Sequence, residues 1–203
     1  MRKAATERRA ARAAEGHVVE IFSGIQGEGT HVGERHLFLR LAGCGYDCDY
    51  CDQPEARRAQ RTALVERTPG GRNFVRLANP IPAVAIAMIL RRLYRAAPHR
   101  ALAVTGGEPL VQADFLKALL PIARQEGMRI LLETNGTLPR EMKRLAGLVD
   151  IVSMDLKLRS ATGRPFPRAR HEQFLRCGAV RRGDVRQGGC RRGEHGARNP
   201  RRG

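Results

Sequence analysis

The strongest constraint on the fold is the alternation of short apolar runs with helix-periodic segments between residues 81 and 153. From Ile81 to Ala97, Val84, Ile86, Met88, Ile89, Leu90 and Leu93 recur densely. Basic residues gather toward the end, as in a helix with a favourably charged C-terminus. Ala101 to Val104 then predicts a short buried strand, followed by a helix over Val111 to Glu126 that stops at Gly127. The cycle repeats as strand Arg129 to Leu132, helix Pro139 to Leu145 and strand Ile151 to Ser153. Strands alternating with helices imply parallel βα units, hence an α/β chain. Upstream, His17 to Phe22 predicts a strand, Ser23 to Gly33 a glycine-rich loop, and Leu37 to Leu41 a strand that is apolar except for Arg40. Residues 57–80 are Arg-rich and broken by Pro69, Gly70, Gly71 and Pro80. They predict an exposed excursion with at most a short strand around Phe74 to Leu77.

In βα units, functional groups collect where strands end, because the loops there face one rim. Four polar clusters follow strand ends in this chain: the cysteine loop 44–51, Thr105-Gly106-Gly107-Glu108, Glu133-Thr134-Asn135-Gly136-Thr137, and Asp155-Leu156-Lys157. A single shared site is therefore expected.

The cysteines are spaced Cys44-x3-Cys48-x2-Cys51 between Gly43, Gly45 and Asp52. Thiolates are soft ligands, and a loop of this length can wrap them around a metal. A reducing compartment disfavours a disulfide. Zinc competes, but a structural zinc site takes four protein ligands, and the other cysteines, Cys177 and Cys190, lie in a tail of different composition. Three thiolates on an iron–sulfur cubane leave one iron open, as catalytic metal sites require.

The 203 residues suffice for one domain with tails. We expect a disordered basic extension over 1–16, a core over 17–176 and a disordered Arg/Gly-rich tail over 177–203. The net charge of +17 points first to a polyanionic partner. However, residues 1–16 hold five basic against two acidic side chains, and 177–203 hold eight Arg against Asp184 and Glu194, so over half of the excess lies in the tails. With 4% aromatics and no Trp, the stacking platforms of nucleic-acid binders are not evident, and nucleic acid is not expected as the partner. The tail carries seven glycines and only Val180 and Val185 as aliphatics larger than Ala. That bias resembles out-of-frame G+C-rich coding, so a frameshifted C-terminus is expected. No apolar run reaches the roughly 18 residues of a membrane span. The N-terminus lacks a secretory apolar segment and contains Glu7 and Glu15, so the cytoplasm is the expected location.

The cysteine motif, with Tyr50 before its last cysteine, and Gly106-Gly107-Glu108-Pro109 together resemble the radical S-adenosylmethionine enzymes. Within that superfamily the chain resembles the 7-carboxy-7-deazaguanine synthases of queuosine biosynthesis over about 17–160. The resemblance rests on Glu20 to Gly29, which includes Gln26-Gly27-Glu28-Gly29, on Phe38 to Cys44, on Thr105 before Gly-Gly-Glu, on Glu133 to Thr137, and on Ser153-Met154-Asp155-Leu156-Lys157.

The resemblance implies a partial (β/α) barrel, incomplete at the C-terminus because nothing past Arg176 matches. It implies a [4Fe–4S] cluster on Cys44, Cys48 and Cys51 that cleaves S-adenosylmethionine to a 5′-deoxyadenosyl radical. The implied reaction is that of a carbon–nitrogen lyase turning 6-carboxy-5,6,7,8-tetrahydropterin into 7-carboxy-7-deazaguanine with loss of ammonia. Ile25, Gln26, Gly27, Arg40 and Thr105 would hold the pterin. Tyr50, Cys51, Asp52, Gly106, Gly107, Glu108, Asn135, Ser153, Asp155 and Lys157 would hold S-adenosylmethionine, and Glu28, Arg40 and Glu133 would be catalytic. Family members carry Thr or Ser after the Cys-Asp pair to bind Mg2+; this chain has Gln53, whose amide oxygen reaches further. A flavodoxin-type electron donor and a homodimer are also implied.

Rival readings are a glycyl-radical activating enzyme, against which the Gln-Gly-Glu-Gly loop argues, and an inactive iron–sulfur or zinc-binding remnant. Individual residues have plainer roles open to them. Arg40 can bind a carboxylate bidentately or pair with a structural acid. Glu28 and Glu133 can accept from an aminopyrimidinone edge or cap loops. Asn135-Gly136 is a common turn pair, and Lys157 can meet an anion or water.

Overall fold

A computed structural model describes residues 14–177. Residues 1–13 and 178–203, with the disorder and frameshift expected of them and with Cys190, lie outside the described residues.

Nine strands and five α-helices make up the described chain. The strands are β1 (Glu15–Gly16), β2 (Val18–Ile25), β3 (Arg35–Leu41), β4 (Thr62–Glu66), β5 (Phe74–Ala78), β6 (Ile81–Pro82), β7 (Ala101–Gly106), β8 (Ile130–Thr134) and β9 (Ile151–Met154). The helices are α1 (Ala83–Arg95), α2 (Ala113–Gln125), α3 (Pro139–Arg144), α4 (Arg159–Thr162) and α5 (Arg168–Leu175). Seven strands form one sheet in the order β5-β4-β2-β3-β7-β8-β9. The run β3-β7-β8-β9 is parallel, joined by α1, α2 and α3, so the α/β expectation holds. β2 is antiparallel to β3 and parallel to β4.

The two faces of the sheet differ in composition because side chains alternate along each strand. One face carries Ile21, Leu37, Leu39, Leu41, Leu102, Val104, Ile130, Leu132 and Val152 against Ile86, Leu90 and Leu93 of α1 and Leu116, Leu119 and Leu120 of α2. Burying each such side chain contributes about 1.5–3 kcal/mol, and this is the main core. The inner face carries Phe38, Ala101, Ala103, Leu131 and Ile151, with Phe22 stacked on Phe38 at 4.9 Å between ring centroids. One step further along this face the residues are polar. Glu20 pairs with Arg40, Arg40 with Thr105, and Glu133 with Ser153, so one register line crosses the sheet as a polar row.

Three local expectations need correction. Ser23 to Ile25 extend β2 rather than starting a loop, because they pair with Leu37, His36 and Arg35 of β3. Residues 57–80 are not merely an exposed excursion: β4 lies between β5 and β2 and buries Ala63 and Val65, an apolar pair too short to stand out among arginines. The packed region also exceeds 17–176 at both ends. Glu15–Gly16 pair with Ile81–Pro82, and the Cys177 thiol packs on the core and donates to the Pro139 carbonyl at 3.3 Å.

Candidate active site

The carboxyl ends of β3, β7, β8 and β9 surround one pocket. It is lined by Cys44, Tyr46, Cys48, Tyr50, Cys51, Asp52, Gln53 and Arg57 in and just after the cysteine loop, by Thr105, Gly106 and Gly107 at the end of β7, by Glu133, Thr134 and Asn135 at the end of β8, by Ser153, Asp155 and Lys157 at and beyond the end of β9, and by Glu28. The rim inferred from sequence is thus assembled, with one difference of origin. Glu28 follows β2, which runs antiparallel to β3, so it reaches the pocket from the opposite end of the sheet.

The cysteines are unpaired thiols; Cys48 is buried, and Cys44 and Cys51 are half-buried. Burial pushes the Cys44 and Cys48 thiols up from their ordinary value. The loop is braced by Arg57, which donates to the Cys48 carbonyl at 2.9 Å and pairs with Asp47, and by the Tyr46 amide, which donates to Cys44 Sγ at 3.4 Å. Among the described residues, the one trio of His, Cys, Asp or Glu whose donor atoms all lie within 4.8 Å is elsewhere. At least one pair of the three sulfurs is therefore more than 4.8 Å apart. A soft, three-thiol donor set suits an iron–sulfur cluster. Gly107 lets the cysteine loop pack closely on the end of β7: a Cβ there would lie 2.5 Å from the Gly43 carbonyl oxygen and 2.9 Å from Cys44 Cβ.

Asp155 and Lys157, just after β9, form a hydrogen-bonded group with Tyr50 of the cysteine loop. Lys157 donates to Tyr50 Oη at 3.0 Å and pairs with Asp155, and Tyr50 Oη lies 3.4 Å from Asp155. Burial works against the Lys157 ammonium, but the bonds to Asp155 and Tyr50 outweigh it and hold the proton more firmly than usual. Glu28 shows the reverse: burial, then the charges of Glu133, Asp155 and Asp52, raise its proton affinity.

Several residues singled out from sequence do not line the pocket. Glu108 is fully buried, and its carboxylate accepts from the Leu110 amide (3.0 Å), the Thr134 hydroxyl (2.8 Å) and the Asn135 amide (2.7 Å). Burial raises its proton affinity against the pull of these donors. Its carboxylate thus ties the end of β7 to the end of β8. Arg40 donates to Glu20 at 2.8 Å through Nε, so the pairing with a structural acid is real. Its two terminal nitrogens have no hydrogen-bond partner among the described residues. Gln26 is buried; its amide donates to Glu133 at 2.8 Å and accepts from the Glu28 amide at 3.0 Å. Ile25, the last residue of β2, and Gly27, in the loop after it, are exposed. Asn135 does line the pocket, while its side-chain oxygen accepts from the Thr137 amide and hydroxyl, the turn reading. Tyr46, Arg57 and Thr134 were missed. His171 of α5, which meets the Asn135 carbonyl at 2.9 Å, was missed too. The aromatic inside the cysteine loop was the available signal for Tyr46; the His171 contact had none.

Fold and site define an α/β protein with an open three-thiol pocket at its strand ends, and residues 39–178 match the family model of the Radical SAM superfamily: the chain belongs to that superfamily. It is 38% identical over 169 residues to the 7-carboxy-7-deazaguanine synthase of Geobacter sulfurreducens, covering 82% of this chain and 67% of that one. It is 41% identical over 150 residues to the synthase of that name from Methanopyrus kandleri (71% of this chain, 58% of that one). With the synthase of Methanothermobacter thermautotrophicus it shares 40% identity over 141 residues, spanning about half of that protein (49%). The branch of the superfamily in which the chain falls is that of the 7-carboxy-7-deazaguanine synthases. The crystal structure of QueE from Escherichia coli superimposes with a TM-score of 0.56 at 19% identity, over 81% of this chain and 72% of that one. It shares the fold. Among the described residues no helix is long and apolar enough to cross a membrane.

Proposed function

We propose that this chain converts 6-carboxy-5,6,7,8-tetrahydropterin to 7-carboxy-7-deazaguanine, losing ammonia as a carbon–nitrogen lyase. The observation that carries this reading is the polar row Arg40, Thr105 and Glu133 on the inner face, next to a pocket with three thiols. Cys44, Cys48 and Cys51 would hold a [4Fe–4S] cluster, which together with S-adenosylmethionine supplies one-electron cleavage of a sulfonium.

The chain's own groups do the rest. The terminal nitrogens of Arg40 form a fork for the pterin carboxylate. Thr105 and Glu133 offer a hydroxyl and a carboxylate to the pyrimidinone edge, and the Gln26 amide holds Glu133 in place for it. Glu28, with its raised proton affinity, delivers a proton to the departing nitrogen. Substrate and product plus ammonia balance without net oxidation, so S-adenosylmethionine is regenerated. Lys157, Tyr50 and Asp155 form a polar wall for its ribose and carboxylate, with Asp52, Gly107, Asn135 and Ser153 completing the cradle. Gln53 would supply an amide oxygen to Mg2+. A flavodoxin-type reductant, a homodimer and a cytoplasmic setting complete the reading.

The test is anaerobic turnover of cluster-loaded protein with S-adenosylmethionine, reductant and the tetrahydropterin. Product and ammonia in equal amounts, with S-adenosylmethionine conserved, support it. Cluster-loaded protein that forms 5′-deoxyadenosine but no deazaguanine overturns it.

A further inference from the structure

A second constellation lies outside the pocket, at the entry to β3. The turn Gly29–His31, Gly33 with φ of +89°, and the Glu34 amide bonded to the His31 carbonyl at 3.1 Å fold the chain back on itself. Glu34 and His36 are two residues apart in extended chain and so share a face. As a result, His31 Nδ1 and His36 Nε2 approach the same Glu34 oxygen, at 2.8 and 3.3 Å. All three donor atoms lie within 4.8 Å of one another.

We propose that His31, Glu34 and His36 form a binding site for a divalent ion of the zinc type. Two imidazoles and a carboxylate are a borderline donor set that zinc favours over calcium or magnesium. Ligand atoms about 2.0–2.1 Å from a tetrahedral zinc stand about 3.3 Å apart, so the observed spacing needs little rearrangement to admit the ion. His36 is anchored, with its ring fully buried, whereas His31 and Glu34 are partly open to solvent, leaving the remaining coordination positions to water. Arg100 is the only other described charge paired with this carboxylate, at 3.9 Å and largely exposed, so it can swing aside.

The structure also bounds the affinity. His36 Nδ1 is buried with no hydrogen-bond partner. A metal-bound imidazole normally donates this N–H to an acceptor, and losing that partner weakens binding about 10–100-fold. An affinity about 10–100-fold weaker than that of a fully supported site follows.

The site bears on the pocket through the hairpin loop. The Gln26 amide donates to the Glu34 carbonyl at 2.9 Å, and the Gly33 amide donates to the Gln26 carbonyl at 2.9 Å. An ion on Glu34 would therefore clamp the loop that carries Gln26 to Glu133 and Glu28 to the pocket. This inference does not rest on the proposed reaction.

The experiment is titration of the full chain with Zn2+ alone, in competition with a chromophoric chelator, followed by X-ray absorption at the zinc edge. His31→Ala and Glu34→Gln alter partly exposed positions and keep the buried His36 intact. Wild type is expected to bind one zinc with nitrogen and oxygen neighbours, and each variant to weaken that affinity at least about tenfold with unchanged circular dichroism. Equal zinc binding by all three proteins, or a zinc shell made only of sulfur, overturns the proposal.

Discussion

Replacing Glu108 tests how the pocket is held together. Its carboxylate receives three donors, from Leu110, Thr134 and Asn135, in a fully buried setting. Glu108→Ala removes the two oxygens that serve all three donors. Each buried donor left unsatisfied costs about 1–3 kcal/mol; the Thr134 hydroxyl can rotate toward another acceptor, so two amides remain and the loss is about 4 kcal/mol. Glu108→Gln keeps one oxygen in place of Oε1, which serves Leu110 and Thr134, and turns an NH2 toward the Asn135 amide. One donor is then stranded, at about 2 kcal/mol. Urea unfolding followed by circular dichroism, with the slope checked for constancy, measures both. A graded loss, Ala larger than Gln, is expected. A loss below about 0.5 kcal/mol for Glu108→Ala, within the range of ordinary surface substitutions, would refute the staple.

Three further outcomes are expected. Gly107→Ala forces a Cβ to within 2.5 Å of the Gly43 carbonyl oxygen and 2.7 Å of that of Ala56, so it should cost about 1–3 kcal/mol and reduce iron loading, measured by iron content per chain. Lys157→Met removes the ammonium that joins Tyr50 and Asp155 and should weaken S-adenosylmethionine binding about tenfold or more, the loss of one charged hydrogen bond of 1.5–3 kcal/mol, read by equilibrium dialysis. Arg40→Lys keeps a charge beside Glu20 but loses the planar fork; KM for the carboxypterin should rise about tenfold while affinity for S-adenosylmethionine stays unchanged.

Much of the site was legible because its chemistry is local in sequence. Three cysteines within eight residues, and polar groups directly after apolar strands, mark a rim without any knowledge of the pairing. What stayed hidden depends on contacts remote in sequence. The resemblance assigns Glu108 to S-adenosylmethionine through its Gly-Gly-Glu-Pro motif; that its carboxylate also meets Thr134 and Asn135 at the end of the next strand is something the motif does not report. Gln26 and Glu133 meet across 107 residues, and no periodicity reports that. β4 escaped notice because its buried pair, Ala63 and Val65, is no longer than a chance cluster, and only the neighbouring β2 makes it a strand. Helix α5 hid for a similar reason: its sequence is mostly polar, and Phe174 and His171 alone are buried.

The most direct measurement is iron and sulfide content after oxygen-free reconstitution of wild type, Cys48→Ala and Cys177→Ala. Cys177 packs against Pro139, away from the pocket. About four irons and four sulfides per chain, with absorption near about 400 nm, are expected in wild type and Cys177→Ala and should be lost in Cys48→Ala. Equal loading of all three, or a colourless wild type, would contradict the assignment of the cluster to Cys44, Cys48 and Cys51.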